Sequence, residues 1–560
     1  MSLEPPRMES RPLDAVRARE RGRVRHLARR LVALGAVVAI GGATSRASAQ
    51  SNYRSAPVGG RSQLLGGTGM TYGRDAAAAF LNPATAVLVD DQRLSFSVNF
   101  YTVSFVHAPR WYVPGPIDRA RFGALDISDA TMNDLEFNAL PSSLCIFFRV
   151  GDANPLAAAQ MDPRTRDARL GLCFATIASQ SFDFAAEGFS ASRSPSVSRQ
   201  AQTLSQSYTR FAAGPTYAMR VTNALTLGAS VHASLASHRS LLAATATTYG
   251  SSPSAINSMF YSGSRGDSFQ LDATVGATLR FGKQTVGMSL RSPSAHVFGV
   301  GGANQQSYFD GAGSQASLVS AQGSFVSRSP PRLGLGTGIE GAWGLVELDT
   351  TYHFPIDAYS AELEGHQVTT TSGAVDDRPA KLALTERARG VVNIAAGAEV
   401  FMSPSVSVLT GLSTDFSAVP QGALKGGSLF NYYPHQTHRV AGSFGVSSKG
   451  TGGELLVGAE LSVGWGQRLA VNSYQLPPVV GTTGHGTYQL MFVVAGSTSL
   501  RAIKRAVEDV RDVLTNPKPL PPIIPTRPLP EYNPRVREEE KRREKRDEPE
   551  ERRGPAEQRP

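Results

Sequence analysis

The side chains that could do chemistry are few and scattered. His435 and His438 are three apart, and on a strand that spacing points them to opposite faces, which argues against a shared metal. His232 and Ser230 fall on one face, as a hydrolytic dyad would, but no carboxylate stands where it would complete the set. A place on a polar wall explains the pair more simply. Glu347, Asp349, Glu399 and Glu460 fall on the faces that also carry Ser, Thr and Gly, and they fit pairing with arginine or water better than acid–base work. Gly67-x-Gly69-x-x-x-Gly73 has the glycine density of a phosphate loop, with no buried strand before it and no Lys-Ser/Thr after it. Cys145 and Cys173, the two cysteines, face alike on neighbouring strands. A disulfide formed in an oxidising compartment and two adjacent thiols both fit that placement. The pattern reads as a protein that is not an enzyme, with no cofactor and no metal.

The elements that would position these residues are strands. From Phe269 to Phe281 the odd positions are Phe, Leu, Ala, Val, Ala, Leu and Phe, while the even ones are Gln, Asp, Thr, Gly, Thr and Arg. A soluble strand averages about five or six residues, whereas a tilted membrane strand needs ~9–11. Leu227 to Leu235 and Leu455 to Trp465 alternate the same way. Strands are expected near 93–107, 139–150, 168–178, 207–221, 224–238, 267–281, 283–292, 330–341, 343–354, 389–401, 404–415, 436–448, 453–466 and 486–496. Long connections (108–138, 179–206, 239–266, 293–329, 355–388, 416–435, 467–485) alternate with tight turns such as Thr222-Asn223, Gly282 and Ser403-Pro404. Only 151–167 breaks that rule. This is the connection pattern of an all-β, closed antiparallel transmembrane β-barrel of about 14 strands. In such a barrel the apolar face of each strand meets lipid and the polar face meets the lumen. Closure removes the free edges of so large a sheet. In strand one the apolar face switches at Phe100-Tyr101, which suggests a bulge in the wall.

The ends are made of other material. Residues 1–49 have a basic region, the apolar run Leu31 to Ile40, and Ala47-Ser48-Ala49 before Gln50: the order of a signal peptide. The apolar run is far short of the ~20 residues a spanning helix needs, and no lipobox cysteine is present. Residues 497–516 carry Leu500, Ile503, Val507, Val510 and Leu514 on one helical face, an amphipathic helix expected on the periplasmic side. Residues 517–560 are proline-rich and then almost wholly Arg, Lys and Glu, a solvated, disordered tail. The formal net charge of +10 belongs mostly to these ends. The chain has 56 Lys+Arg and 46 Asp+Glu; residues 1–49 hold 10 and 4 of them, and 501–560 hold 16 and 13. That leaves 30 and 29 in residues 50–500, a balance with no nucleic-acid patch.

A closed sheet of fourteen strands encloses a lumen too wide for side chains alone to fill. The segment 50–92 precedes the barrel (93–496), and its Gly/Ala-rich part, "GTGMTYGRDAAAAFLNPA" at 67–84, is the natural N-terminal lumenal plug. Asp75 is placed to cap a short helix from Ala76 to Phe80, and Asn82-Pro83 should end it.

With its "GRDAAAAFLNPA" block, including Gly73, Asp75, Asn82, Pro83 and Ala84, and its "SPPRLGLGTGIEG" to "TTYHF" stretch at 329–354, the chain resembles the long-chain fatty acid and aromatic-hydrocarbon transporters of the outer membrane (FadL/TodX family). It departs from that family in having Thr85 where glycine follows Asn-Pro-Ala, and in running some sixty residues past its last strand. The resemblance implies passive outer-membrane transport of hydrophobic small molecules, long-chain fatty acids or aromatic hydrocarbons, through a plugged barrel with an apolar pocket and a sideways exit. In that family the exit is associated with a kink in the third strand. The implied partners are outer-membrane lipid and lipopolysaccharide, a hydrophobic ligand and the barrel assembly machinery, with a periplasmic partner for the tail a further expectation. The implied location is the Gram-negative outer membrane, with the tail in the periplasm. The alternative is a barrel that serves secretion or anchors surface components.

Overall fold

In the computed structural model the described residues are 52–54, 58–89, 93–109, 132–150, 168–191, 197–249, 256–310, 314–420, 424, 435–450, 452–472 and 479–499. The signal segment, the expected amphipathic helix and the charged tail lie outside them.

Fourteen strands form a closed ring. In chain order they are β1 (Arg93–Ala108), β2 (Met132–Val150), β3 (Ala168–Ala191), β4 (Val197–Arg220), β5 (Leu225–Tyr249), β6 (Ile256–Phe281) and β7 (Gln284–Arg291). The ring continues with β10 (Arg332–Gly341), β11 (Gly344–His353), β14 (Val391–Phe401), β15 (Val406–Asp415), β16 (His435–Lys449), β17 (Gly453–Asn472) and β18 (Val479–Ser499). Each pairs antiparallel with the next, and β18 returns to β1. The ring matches the strands expected from the two-residue rhythm, most ends agreeing within a few residues on the short-turn side.

Four further strands, β8 (Ala295–Asp310), β9 (Gln315–Gly323), β12 (Ile356–Thr371) and β13 (Ala374–Ala388), occupy stretches expected to be long loops. They carry four wall strands onward beyond a break: β8 follows β7, β9 leads into β10, β12 follows β11 and β13 leads into β14. They pair as β6–β8–β9–β12–β13. The breaks fall at 292–294, 324–331, 354–355 and 389–390, and the first three hold Pro293, Pro330-Pro331 and Pro355. Proline has no N–H to give a ladder, so pairing lapses there. The periodicity misses these strands because polar runs such as Gln305-Gln306-Ser307 and Thr369-Thr370-Thr371 interrupt their apolar positions, although Ala303, Ala321, Leu363 and Leu384 pack together on one face.

Outward side chains on the lower wall are apolar and exposed, and inward ones are polar and buried. On β5, Val231 is 53% exposed while His232 is 1% exposed. Leu271, Val275, Leu348, Leu412, Phe444 and Leu461 are exposed, whereas Asp272, Thr274, Asp349, Ser443 and Ser462 are buried. A water-soluble sheet shows the reverse, so this wall faces hydrocarbon.

Residues 58–89 fold inside the ring as a helix at Gly60–Leu64, a glycine-rich turn, a one-turn helix at Ala77–Phe80 and a 3-10 helix at Pro83–Leu88. Ala76, Ala78 and Ala79 pack against Cys145, Phe147, Cys173, Ala175 and Ala212 of β2 to β4. The small side chains let backbone approach wall. The wall yields in turn: a Cβ at Gly276 or Gly287 would collide with Asn82 or with the carbonyl of Met70. Cys145 and Cys173 lie directly opposite on β2 and β3 and form a disulfide.

Candidate functional site

Carboxylates on the inward face hold the plug by its backbone. Asp349 Oδ2 accepts the amides of Gly69 at 2.8 Å and Met70 at 3.0 Å, and Glu347 Oε1 accepts that of Thr71 at 2.6 Å. The turn that looked like a phosphate loop does cradle an anion, but the anion is a wall aspartate. Gly67 and Gly69 take φ +88° and +159°, and positive φ at successive glycines aims amides into one concavity. Arg61, 3% exposed, pairs with Glu399 and Glu454. Arg54 pairs with Glu460 and Arg74 with Glu340. From the wall, Arg332 donates to the carbonyls of Phe80 at 2.6 Å and Leu81 at 3.1 Å.

The motif residues take roles close to those expected, with one correction. Asp75 is not the N-cap of the Ala77–Phe80 helix; Ala76 holds that position. Instead Asp75 joins two helix starts, accepting Ala77 N with one oxygen and Arg61 N and Ser62 N with the other. Burial raises its carboxyl above the usual range, and those three amides draw it back. Asn82 caps the 3-10 helix by accepting Ala84 N, its Nδ2 donates to Met70 O, and Pro83 opens the helix. Gly73 sits where a Cβ would press on Thr85 and on the Gly69 carbonyl.

Above the plug, on the long-loop side of Asp349, lies a cavity of about 140 Å³. It differs from the apolar pocket expected. Val58, Phe80 and Leu81 from the N-terminal segment and Ile177 and Ala178 from β3 give it one apolar side. Arg210, Arg291 and Arg332 also line it, Arg332 beside the Phe80 and Leu81 carbonyls it bonds. Two of the three arginines, Arg210 and Arg291, meet at one acid. Asp272 takes bonds from Arg291 at 3.0 and 2.6 Å, and from Arg210 at 3.4 Å, with His232 Nδ1 at 3.6 Å. So His232 does have a carboxylate neighbour, which the spacing did not reveal because Asp272 comes from β6. Ser230 bonds to Thr216 at 2.8 Å, away from any relay. Among the described residues, Arg210 Nε and Nη1 and Arg332 Nε have no hydrogen-bond partner. No sequence motif flags these residues. Their only signal is that each is an isolated charge on an inward face of small and uncharged side chains.

The cavity reaches the wall at two places. On β3 the register with β4 shifts between Thr176 and Ala178, so Ile177 stands at a bulge. On the far side, the ladder of β14 and β15 ends at Ala395 and Ser413. Beyond it two side chains bridge the seam, Thr414 Oγ1 accepting Ile394 N at 2.9 Å and Asn393 Oδ1 accepting Phe416 N at 2.8 Å, and a backbone bond from Arg389 N to Ala418 O at 3.0 Å follows. The inward Ser413 and the outward Ile394 and Thr414 line the same cavity. At Phe100-Tyr101 the backbone register of β1 also shifts, between Asn99 and Tyr101. His435 and His438 point apart: His435 is buried beside His485, and His438 lies against Trp465 and Phe416. Among the described residues no cluster of three or more metal-ligating side chains occurs.

No family description matches this sequence, and no curated protein does. Among solved structures, a FadL homologue of Pseudomonas aeruginosa is similar at 13% identity, over 80% of this chain and 100% of that one, with a TM-score of 0.49. The toluene transporter TbuX of Ralstonia pickettii is similar at 15% identity over 80% and 99%, TM-score 0.44. The toluene transporter TodX of Pseudomonas putida is similar at 14% identity over 80% and 98%, TM-score 0.46.

Proposed function

We propose that the protein is a passive outer-membrane channel for hydrophobic small molecules. The observation that carries this reading is the cavity itself: it stands on a plug locked into the lumen and is lined in part by Ile394 and Thr414, where the β14–β15 ladder has ended. A plug anchored on most sides blocks a straight path along the axis. A solute arriving from the long-loop side therefore leaves most easily through the wall, where the β-ladder of the seam gives way to side-chain bonds before a backbone bond from Arg389 to Ala418. For an apolar solute that direction is downhill, because the flanking Val392, Ile394 and Leu412 are exposed to hydrocarbon. Nothing in the path calls for an energy source.

The test is uptake of labelled toluene and labelled oleate by cells with and without the gene, repeated with purified protein in lipid vesicles. Faster entry that depends on the protein and saturates supports the channel. Unchanged uptake, with loss of other surface proteins on deletion, would favour the anchoring or secretion role instead.

A further inference from the structure

The cavity carries more positive charge than the chain neutralises. Arg210, Arg291 and Arg332 face it, and Asp272 is the carboxylate set among them. The other ionic groups lining the cavity are already engaged. Arg54 is held by Glu460. Asp349 takes the plug amides with one oxygen. His353 stacks on Tyr53 at 4.0 Å. Arg210 is 0% exposed and bonds Asp272 at 3.4 Å, with Tyr208 beside it. Its Nε and Nη1 have no hydrogen-bond partner among the described residues, and neither does Arg332 Nε. Buried guanidinium groups need an anion, and their forked donors suit a carboxylate.

The facing side is apolar and partly flat. Phe80 stacks on His232 at 4.6 Å, with Val58, Leu81 and Ile177 around it. A volume of about 140 Å³ is close to the ~150 Å³ cavity that holds a benzene ring, and a long acyl chain would overflow it.

We propose that the cavity is a binding site for a compact aromatic carboxylate of benzoate size, its carboxylate between Arg210, Arg291 and Arg332 and its ring against Phe80, Leu81 and Ile177. The assignment rests on reading the cavity as the place where the solute is held. It makes an anionic ring the preferred occupant of the cavity; the downhill exit into hydrocarbon then applies to the neutral, protonated acid.

Calorimetric titration of the detergent-purified full chain tests it, with benzoate, toluene, laurate and inorganic phosphate as probes. Benzoate is expected to bind more tightly than the other three. Arg210→Gln should weaken benzoate at least tenfold and leave toluene within twofold, and Arg210→Lys, which keeps the charge, should recover part of the loss. The heat-dependent gel shift of the barrel checks that each variant is folded. Benzoate binding that is absent, or unchanged in Arg210→Gln, overturns the site. So does phosphate binding as tightly as benzoate, since the apolar side would then play no part. Benzoate that binds as expected while no probe crosses vesicles faster with the protein than without would keep the site and sink the channel.

Discussion

The lower and upper halves of the lumen use the same residue types to opposite ends. Below, charged side chains on the wall find their partners within the chain. Glu347 and Asp349 each take plug amides on one oxygen, the other oxygen having no hydrogen-bond partner among the described residues, and Arg61 pairs with Glu399 and Glu454. Above, Arg210 and Arg291 share one aspartate, Arg332 holds two plug carbonyls, and Arg210 and Arg332 keep donors unused. An inward charge with an internal partner acts as a fastening. An inward charge without one is a demand that something else must meet. Burial alone does not separate the two, because Arg61 is 3% exposed and Arg210 0% exposed.

The largest effect should come from the lower half. Arg61→Ala leaves Glu399 and Glu454 without their main partner, and breaking a buried pair in this way costs about 3–5 kcal/mol. Urea unfolding in detergent should show the loss, together with faster protease cleavage of the loosened plug. A variant as stable as the parent would mean that the plug is held by packing alone. Removing the β2–β3 disulfide with Cys145→Ser/Cys173→Ser comes next, at about 2–4 kcal/mol, read from the same unfolding curves. Glu347→Ala leaves the Thr71 amide unpaired and should cost about 1–3 kcal/mol, with raised ion conductance in planar bilayers as the plug shifts.

At the seam, Thr414→Val removes one side-chain bond across β14 and β15, a net effect of about 0.5–1.5 kcal/mol. Toluene entry into vesicles should quicken; an unchanged rate would take the seam out of the route. The smallest change in stability is expected at Arg210→Gln, under about 1 kcal/mol, because Asp272 keeps both bonds from Arg291. A loss as large as that at Arg61 would erase the contrast between the two halves.

Much of this architecture is written in local periodicity. The alternation from Phe269 to Phe281 marks a membrane strand, and Asn82-Pro83 marks the end of a plug helix, since both depend on neighbours along the chain. The strands β8, β9, β12 and β13 escape this reading because polar runs break up their apolar positions, which pack against one another across the added strands. The cavity escapes it for another reason. Arg210, Asp272, Arg291 and Arg332 lie on β4, β6, β7 and β10, and none is within fifteen residues of another.

The sequence by itself determined the ring of membrane strands, the polarity of its two faces and the small-residue segment that fills it, because hydrophobic period and proline placement act over a few residues. Only the tertiary structure decided which inward charges meet a partner and which are left facing a void. Closure of the ring and the seating of the plug set those distances, and no spacing along the chain encodes them.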